Sequence, residues 1–470
     1  MKNKTTVNTF FAFLMILIMS FWIGDASGQA SNNFSIKQSV EFALQNSISV
    51  KNALIDLQIQ KQTNREIASA ALPQVNGSLS GNYFPNVAVQ SFPNFISRAT
   101  YGVLLQESVK DGNGNTIVAP NDFGFVQAQF GTKYTANAGL DFSQLLFDGQ
   151  VFVGLQALSA SIDFQRKKIA VTEELIKVNI YKIYYQLVVA KVQLTSLDAN
   201  IERFEKLLSD TKEIYKQGFA EKLDIDKVSV QLNNLKTEKV KLESQINAGN
   251  TGLKFLMNMP QKDTLVLTDT LNEDILKSDI PDNNYNYSDR KEFQLLEVGK
   301  KLGEYNIKRF KSSYLPTVAL YGSYNKNAQR NQFNFFNNGQ WFTSSQIGLK
   351  ISIPIFDGFA KSARVSKAKL ELEQTNNNIE QLKANIDNDI AQATLSFTTS
   401  LITINNQSKN KELAEKVYNT TKIKYEQGLG NNQEIYNAQA ELKIAQNNYY
   451  SALYDAIIAK IDYQQATGKL

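Results

Sequence analysis

The 470-residue sequence contains neither cysteine nor histidine. Without cysteine there is no disulfide, no thiolate chemistry and no cysteine that could carry a lipid anchor. Without histidine there is no imidazole general base, no Ser-His-Asp triad and none of the common zinc or haem ligand sets. Carboxylate pairs remain, but no Asp or Glu pair lies in a predicted pocket-forming loop between apolar strands. We therefore predict that the chain is not an enzyme and holds no metal or cofactor.

The chain also lacks a strong excess of charge of either sign. It has 50 Lys and Arg against 45 Asp and Glu, a net charge of +5. The basic residues alternate with acidic ones, as in Glu202-Arg203 and Glu238-Lys239, which is typical of a solvated helix face. Nucleic-acid binding needs a basic patch or stripe, so we predict no nucleic-acid partner.

Long apolar runs are absent except at the N-terminus. Lys2 and Lys4 precede the apolar run from Phe10 to Ile23, and small residues follow at Ala26–Gly28. This pattern predicts a cleaved export signal over residues 1–28. An uncleaved membrane anchor is the alternative, although 14 apolar residues are fewer than the ~20 that a spanning helix needs.

The remainder of the chain contains an internal duplication. Three motifs occur twice in the same order: Leu72–Val75 and Leu315–Val318, Phe147–Gly149 and Phe356–Gly358, Tyr215–Gly218 and Tyr425–Gly428. The last pair stands 210 residues apart, far beyond the period of solenoid repeats. We predict a first repeat over residues 29–258, a linker over 259–287 and a second repeat over 288–470.

Four stretches alternate between apolar and polar residues and are predicted to be strands: 75–83, 134–142, 318–324 and 347–355. They are long enough to cross a bilayer at a tilt. Aromatic residues lie near their ends, as in the girdles of a membrane barrel: Tyr83, Phe84, Phe130, Tyr134, Tyr324, Trp341 and Phe342 toward the loops, and Phe142, Phe147, Tyr314, Phe356 and Phe359 toward the helices. A β-sandwich in water is the alternative.

Four strands cannot close into a barrel, and an open sheet edge has no partners in hydrocarbon. The chain must then share a barrel with copies of itself. Two copies would give eight strands around a filled interior, whereas three would give twelve and begin to leave a lumen. We favour three copies.

Two stretches of about 68 residues without proline, from Gln150 to Gln217 and from Phe359 to Gln427, predict very long helices. Gly218 and Gly428 are predicted to end them in left-handed C-caps. Returning helices are predicted over Leu223–Met257 and Gln433–Ala466, and flanking helices over Phe34–Ala71 and Ser288–Tyr314. Helices this long must pack side by side, as in a closed cylinder or, alternatively, an antiparallel coiled-coil tether.

Taken together, the export signal and the doubled motifs resemble the TolC family of outer-membrane efflux proteins. The resemblance implies a mixed α and β membrane protein: a homotrimer whose 12-stranded β-barrel, four strands per chain, is embedded in outer-membrane lipid of a Gram-negative-type bacterium. A long α-helical coiled-coil barrel would continue it through the periplasm. The implied function is the exit duct of a tripartite efflux or type I secretion system, docked to a periplasmic adaptor and an inner-membrane pump.

The resemblance also assigns roles at the hairpin tips. Asp224 and Glu434, each six residues after the tip glycine, would line the periplasmic constriction. Six carboxylates in a trimer would make the closed mouth cation-selective. Alternatively, each acid only stabilises the N-terminus of its returning helix through the helix dipole.

Other tip residues are assigned to the gate and to adaptor docking: Tyr215, Gly218, Tyr425, Gly428, Gly430 and Asn437. Tyr425 matches a gate tyrosine of the family, with Tyr215 as its first-half equivalent. Gly430 stands where the family has a basic gate residue, and Asn437 where it has a second acid. We therefore predict a gate held by packing and by the amides of Asn431 to Gln433 more than by ion pairs.

Two rival functions remain. One is a trimeric, barrel-anchored structural or adhesive coiled-coil protein without transport, and the other is a passive porin. Matched hairpins at both tips argue against the first, and the long helices against the second. The segments 85–129 and 325–340 are predicted to be outward loops.

Overall fold

The computed structural model describes residues 31–271, 276, 285–337 and 339–470. The predicted export signal, residues 1–28, and much of the predicted linker, 259–287, lie outside the described residues. Two compact units are distinguished. The helical unit contains residues 31–61, 159–304 and 369–470, and the sheet unit contains residues 62–158 and 305–368.

The described strands are β1 (Ser31–Phe34), β2 (Gln74–Tyr83), β3 (Val89–Pro93), β4 (Phe125–Gln129), β5 (Tyr134–Phe147), β6 (Thr264–Leu267), β7 (Thr317–Arg330) and β8 (Phe342–Ser352). The described α-helices are α1 (Ile36–Asn46), α2 (Ile48–Ser69), α3 (Phe95–Gln106), α4 (Gly149–Lys216), α5 (Lys222–Met257), α6 (Lys291–Ser312), α7 (Ala360–Glu426) and α8 (Asn432–Ala466).

The sheet unit contains a four-stranded antiparallel sheet in the order β2-β5-β7-β8. These are the four strands predicted from alternation, which is therefore confirmed. Its two edge strands are β2, which belongs to the first predicted repeat, and β8, which belongs to the second. Every other described strand is at most five residues long.

One face of this sheet is apolar and open. Val75, Leu79, Ile347, Leu349 and Ile351 are all exposed in the single chain. On the other face the register places neutral polar residues opposite one another, such as Asn137 beside Asn327 and Ser80 beside Asn137. The pleat thus separates an apolar face from an amide- and hydroxyl-rich face.

The ends of two strands, β7 and β8, differ clearly from the prediction. β7 continues to Arg330, so Asn325 is not the start of a loop and Tyr324 lies in mid-strand, opposite Leu140. The aromatic placement predicted for Tyr324 was wrong. β8 ends at Ser352, two residues before Pro354, which has no N–H to donate to the ladder.

The predicted loop 85–129 is also more ordered than expected. It contains the hairpin β3–β4 and the helix α3, which Asn94 caps by accepting a hydrogen bond from the Ser97 N–H at 3.0 Å. The alternation in five-residue strands is too short to be recognised. Likewise, the parallel pair β1–β6 was not predicted.

The predicted helix Phe34–Ala71 is two helices. α1 begins with a capping box, in which Ser35 and Gln38 each bond the other's backbone N–H. Ser47, in an extended conformation, separates α1 from α2. Ser and Asn favour helix ends because their side chains compete with the backbone for hydrogen bonds.

The long helices of the helical unit are close to their predicted bounds. α4 has 68 residues, α7 has 67, and the returning helices α5 and α8 have 36 and 35. The predicted apolar seam of α7 is buried or partly buried along its length: Ile379, Leu382, Ile386, Ile390, Ala393, Phe397, Leu401 and Ile404. The side chains of Tyr184, Phe204, Leu235, Leu253 and Leu442 are among the most deeply buried in this unit.

Residues 285–290 form hydrogen bonds to α7 and to the C-terminus of α8. Tyr285 and Tyr287 donate hydroxyl hydrogen bonds to Asp387 Oδ1 at 2.6 and 2.9 Å. Arg290, only 7% exposed, donates to the Ala466 carbonyl at 3.2 Å and lies 3.7 Å from Asp389. The guanidinium thereby caps the C-terminus of α8, where a positive charge also suits the helix dipole.

Replacing Arg290 by Met should lower the free energy of unfolding by about 2 kcal/mol, because a buried, charged hydrogen bond is lost. Arg166, which is exposed and pairs with Asp163 at 3.3 Å, is the control. Arg166→Met should cost no more than about 0.5 kcal/mol. Thermal unfolding followed by helical circular dichroism in detergent measures both, and equal effects would contradict the role given to Arg290.

Two glycines of α5 give a matched pair of stability variants. A Cβ at Gly249 would lie 2.7 Å from Cδ2 of the fully buried Leu187, whereas one at Gly252 would find its nearest neighbour, Ile183 Cδ1, at 3.9 Å. Gly252→Ala should therefore stabilise by about 0.5 to 1 kcal/mol through helix propensity.

Gly249→Ala should lose that gain, because overpacking costs about 1 to 3 kcal/mol. We expect its unfolding temperature to be lower than that of Gly252→Ala. The same temperature for both variants would show that Leu187 moves aside freely.

Candidate functional site: the hairpin tips

Each long helix ends in the same turn. Gly218 has φ +82° and Gly428 has φ +71°, both in the left-handed region that favours glycine. The Gly218 N–H donates to the Tyr215 carbonyl at 2.9 Å, and the Phe219 N–H donates to the Ile214 carbonyl at 3.1 Å. The same two bonds recur at Gly428 and Leu429. This is the Schellman arrangement, and the predicted left-handed C-caps are confirmed.

Both returning helices are capped at their N-termini, but by different side chains. Asn431 is the N-cap of α8 and accepts the Glu434 N–H at 2.8 Å. At α5, the Glu221 N–H donates to Asp224 Oδ2 at 3.1 Å. Asp224 and Glu434 thus occupy the first turn of each helix, where a carboxylate suits the dipole.

The two predicted constriction acids have different surroundings. Glu434 lies 3.7 Å from Lys424 Nζ, and both side chains are about half exposed. Asp224 is half-buried and lies close enough to Tyr425 to raise the pKa of that phenol slightly. The sequence predicts a gate held by amides more than by ion pairs, so the ion pair between Glu434 and Lys424 was not expected. Asn437 accepts from Gln433 Nε2 at 2.8 Å, in agreement with the amide part of that expectation.

Tyr215 and Tyr425 are equivalent in sequence but not in environment. Tyr425 is half-buried, and its hydroxyl is hydrogen-bonded to Thr211 of the first hairpin. Thr211 itself donates to the Leu207 carbonyl at 2.8 Å. Burial, more than any neighbouring charge, raises the pKa of Tyr425. Tyr215 is 44% exposed.

Gly430 stands where the chain turns back against the end of α7. A Cβ there would lie 3.3 Å from the Tyr425 backbone nitrogen and 3.4 Å from its Cα. The first-half equivalent is Ala220, so the first tip accommodates a side chain at this position. A basic residue at Gly430 would need the Tyr425 backbone to shift by a few tenths of an ångström.

Side-chain contacts join the two hairpins above the tips. Phe204 packs edge-on against Tyr436 with ring centroids 6.4 Å apart, and the Arg203 guanidinium lies 5.3 Å from the Tyr418 ring. Lys443 Nζ lies 2.6 Å from Glu238 Oε2. These cross-hairpin pairs were not predicted, because their residues have no local sequence signal and meet only through the helix register.

Two exposed apolar side chains follow the tip glycines. Phe219 is 84% exposed and Leu429 is 73% exposed. In most Schellman turns this residue packs back onto its own helix. Each tip therefore presents one exposed apolar side chain at the equivalent position. The sequence analysis missed this feature because the repeated motif was read only as far as the glycine.

Within the described parts of the chain, no group of three or more acidic residues is placed to hold a metal ion. Among the same residues, no helix has the length and apolarity required to cross a membrane.

The sequence is similar to known outer-membrane proteins. Residues 289–469 match the model of a family described as outer membrane efflux protein. The outer membrane protein TolC of Vibrio cholerae serotype O1 is 18% identical over 336 residues, 71% of this chain and 77% of that protein. The proteases secretion protein PrtF of Dickeya chrysanthemi is 21% identical over 226 residues, and this chain spans about half of its length (46%).

Solved structures give the same answer for the fold. The CusC structure matches with a TM-score of 0.72 at 16% identity, covering 95% of both chains. The outer membrane protein VceC of Vibrio cholerae matches with a TM-score of 0.68 at 14% identity, covering 92% of this chain and 96% of that one.

The fold is thus that of an outer-membrane channel rather than an enzyme. Residues 289–469 thus carry the match to the outer membrane efflux family, and the resemblance to TolC-like outer-membrane efflux proteins recognised in the sequence is confirmed.

The N-cap of α8 can be tested directly. Asn431→Ala should cost about 1 kcal/mol of local stability, because the Glu434 N–H loses its acceptor. Hydrogen exchange at residues 433–436 should then be faster. Asn431→Asp keeps the acceptor and should keep the protection, so faster exchange in both variants would place the effect elsewhere.

Proposed function

We propose that the chain is the outer-membrane exit duct of a tripartite efflux or type I secretion system. The observation that carries this proposal is a single chain with an open-edged sheet, apolar on one face, and helices of 68 and 67 residues that end in matched tips. At ~1.5 Å per residue each long helix measures about 100 Å. A passive pore in a membrane has no use for helices of that length.

The assembly we infer is a homotrimer. The backbone groups along the outer sides of β2 and β8 need partners in hydrocarbon, and an adjacent copy supplies them if its β8 pairs with β2. Three chains give about twelve strands, enough to leave a lumen. The exposed apolar face then meets lipid, and the face with Asn137, Asn327 and Ser80 lines water.

The partners we infer are a periplasmic adaptor and, through it, an inner-membrane pump. Phe219 and Leu429 are apolar side chains at the far end of a periplasmic helix pair, a suitable anchor for a protein partner. A structural or adhesive coiled coil, the rival function, has no need of apolar knobs on two matched tips. The pump must supply the energy, because the sequence has no Gly-rich phosphate-binding loop.

At the closed mouth, Asp224 and Glu434 contribute six carboxylates per trimer. We infer that this ring sets cation selectivity, because clustered negative charge attracts cations and repels anions. Lys424 lies near Glu434 and offsets part of that charge, so Asp224 is expected to contribute the larger share.

Planar-bilayer recordings test the ring. Asp224→Asn with Glu434→Gln should shift the reversal potential in a salt gradient toward zero, whereas Asp226→Asn, an exposed acid on the same turn, should leave it unchanged. Unchanged selectivity in the double variant would show that the acids act only as helix caps.

Copurification tests the duct itself. Phe219→Ser with Leu429→Ser should abolish recovery of adaptor and pump with the trimer and should stop export, while the barrel still inserts in the outer membrane. Full export by this variant would overturn the assignment of the tips as the docking surface.

A further inference from the structure

A cavity of about 350 Å³ lies in the helical unit, far from the hairpin tips. It is enclosed by α4, α7, α8 and the segment 267–271, so both repeats contribute to its walls. The α4 residues that line it stand about seven helical turns before Gly218. Its volume is within the range of small-molecule sites in proteins.

The walls of this cavity are apolar. Val188, Leu267, Tyr449 and Leu453 line it, and all four side chains are buried. Val192, which also lines it, is 36% exposed and marks the side that opens to solvent. A ligand gains from burying an apolar body against these side chains.

Two lysines line the same cavity from different helices. Lys191 on α4 and Lys411 on α7 are both half-buried. Within the described residues, neither of them forms an ion pair with a carboxylate. Lys411 Nζ instead lies 3.8 Å from the centre of the Tyr449 ring, a cation–π contact. Burial lowers the pKa of Lys191, and no neighbouring acid counteracts this effect.

The acid that lines the cavity is engaged elsewhere. Asp269 Oδ2 accepts the Ile36 N–H at 2.8 Å, and the Asp269 N–H donates to the Tyr184 hydroxyl at 3.3 Å. Its carboxylate thus lies at the N-terminus of α1, where negative charge suits the helix dipole. Two lysines and one aspartate give the lining a net charge of +1. A ligand with one negative charge would neutralise it.

We propose that this cavity binds a small monoanion with an apolar body, such as an aromatic carboxylate. Its charged group is hydrogen-bonded to the ammonium groups of Lys191 and Lys411, and its body packs against Val188, Leu267 and Leu453. At about 30 Å³ for each heavy atom, the cavity accommodates about a dozen. The proposal goes beyond the exit duct and does not depend on the trimer.

The charge of the site determines which ligands it accepts. A half-buried ammonium group loses hydration, and only an anionic acceptor replaces that hydration with a charge-assisted hydrogen bond. A neutral molecule of the same shape leaves both ammonium groups without such an acceptor. A cation of the same shape is repelled by them.

Binding should also stabilise the helical unit. The walls come from α4 of the first repeat and from α7 and α8 of the second, so a ligand contacts both hairpins. A ligand that binds only the folded protein raises its unfolding temperature through mass action. The anion should therefore raise that temperature, and a neutral analogue should not.

Fluorine NMR measures the binding with two matched probes, 4-(trifluoromethyl)benzoate and its neutral amide, 4-(trifluoromethyl)benzamide. The full chain is reconstituted in nanodiscs of zwitterionic lipid, and empty nanodiscs correct for probe that enters the lipid. The benzoate signal should broaden in the presence of protein. The amide should bind at least about tenfold more weakly, because it lacks the charge-assisted hydrogen bonds.

Four variants that each remove one positive charge test the lysines. Lys191→Gln and Lys411→Gln should each weaken benzoate binding at least about tenfold. Lys206→Gln on α4 and Lys409→Gln on α7 are the matched controls, because both lysines are exposed and neither lines the cavity. The control variants should bind benzoate as the unmodified protein does.

Two further variants separate lost binding from lost folding. Lys411→Arg keeps the positive charge and the contact with the Tyr449 ring, so it should retain binding. Val192→Phe keeps both lysines but fills the open side of the cavity, so it should block benzoate. Helical circular dichroism without ligand confirms that each variant is folded.

The outcomes that would overturn the proposal are distinct. They are equal binding of benzoate and benzamide, equal effects of the cavity and control variants, or no binding by the folded, unmodified protein. None of these results concerns export. A protein that exports normally and fails this test would retain the exit-duct assignment and lose only the anion site.

Discussion

An unpaired sheet edge in hydrocarbon is the constraint on which the rest of this molecule depends. A polar backbone group without a partner in lipid costs several kcal/mol, and water is not available to replace it. The β2 and β8 edges lie on opposite sides of one four-stranded sheet, so a copy of the same chain can satisfy both. In the trimer that we propose, closure would follow from symmetry, and the polar face of the sheet would enclose a lumen.

The same dependence on copies extends to the helical unit. The single chain buries an extended apolar seam, yet Leu413, Val417, Val230 and Val240 remain exposed on its long helices. At the tips, one tyrosine of two is covered. In both units, the chain thus has sheet edges or apolar side chains without partners, which an adjacent copy could supply.

The tips combine rigid turns with weak closing contacts. The Schellman turns at Gly218 and Gly428 and the caps at Asn431 and Asp224 define the shape of each hairpin through backbone hydrogen bonds. Near the tip, one hairpin is joined to the other by the half-buried Tyr425 on the buried Thr211, and within the second hairpin a lysine lies near a glutamate. Such contacts contribute little individually, so the tips can separate while the hairpins stay folded.

The sequence alone was sufficient for the long elements and for the class of protein. Helical periodicity in α4 and α7, alternation in β2, β5, β7 and β8, and the glycines at the tips are local signals, because each depends on residues within a few positions. The doubled order of motifs gave the family resemblance. Short elements such as β3, β4 and α3 were missed, because five residues carry too little periodicity.

Only the tertiary structure decided which equivalent residues differ. The motif shared by Tyr215 and Tyr425 does not tell them apart, yet Tyr425 meets Thr211 and Tyr215 faces solvent, because the hairpins pack in one order and not the other. The extension of β7 to Arg330 likewise follows from its pairing with Tyr134 on β5. Such differences come from contacts between residues far apart in the chain, for which the local sequence holds no signal.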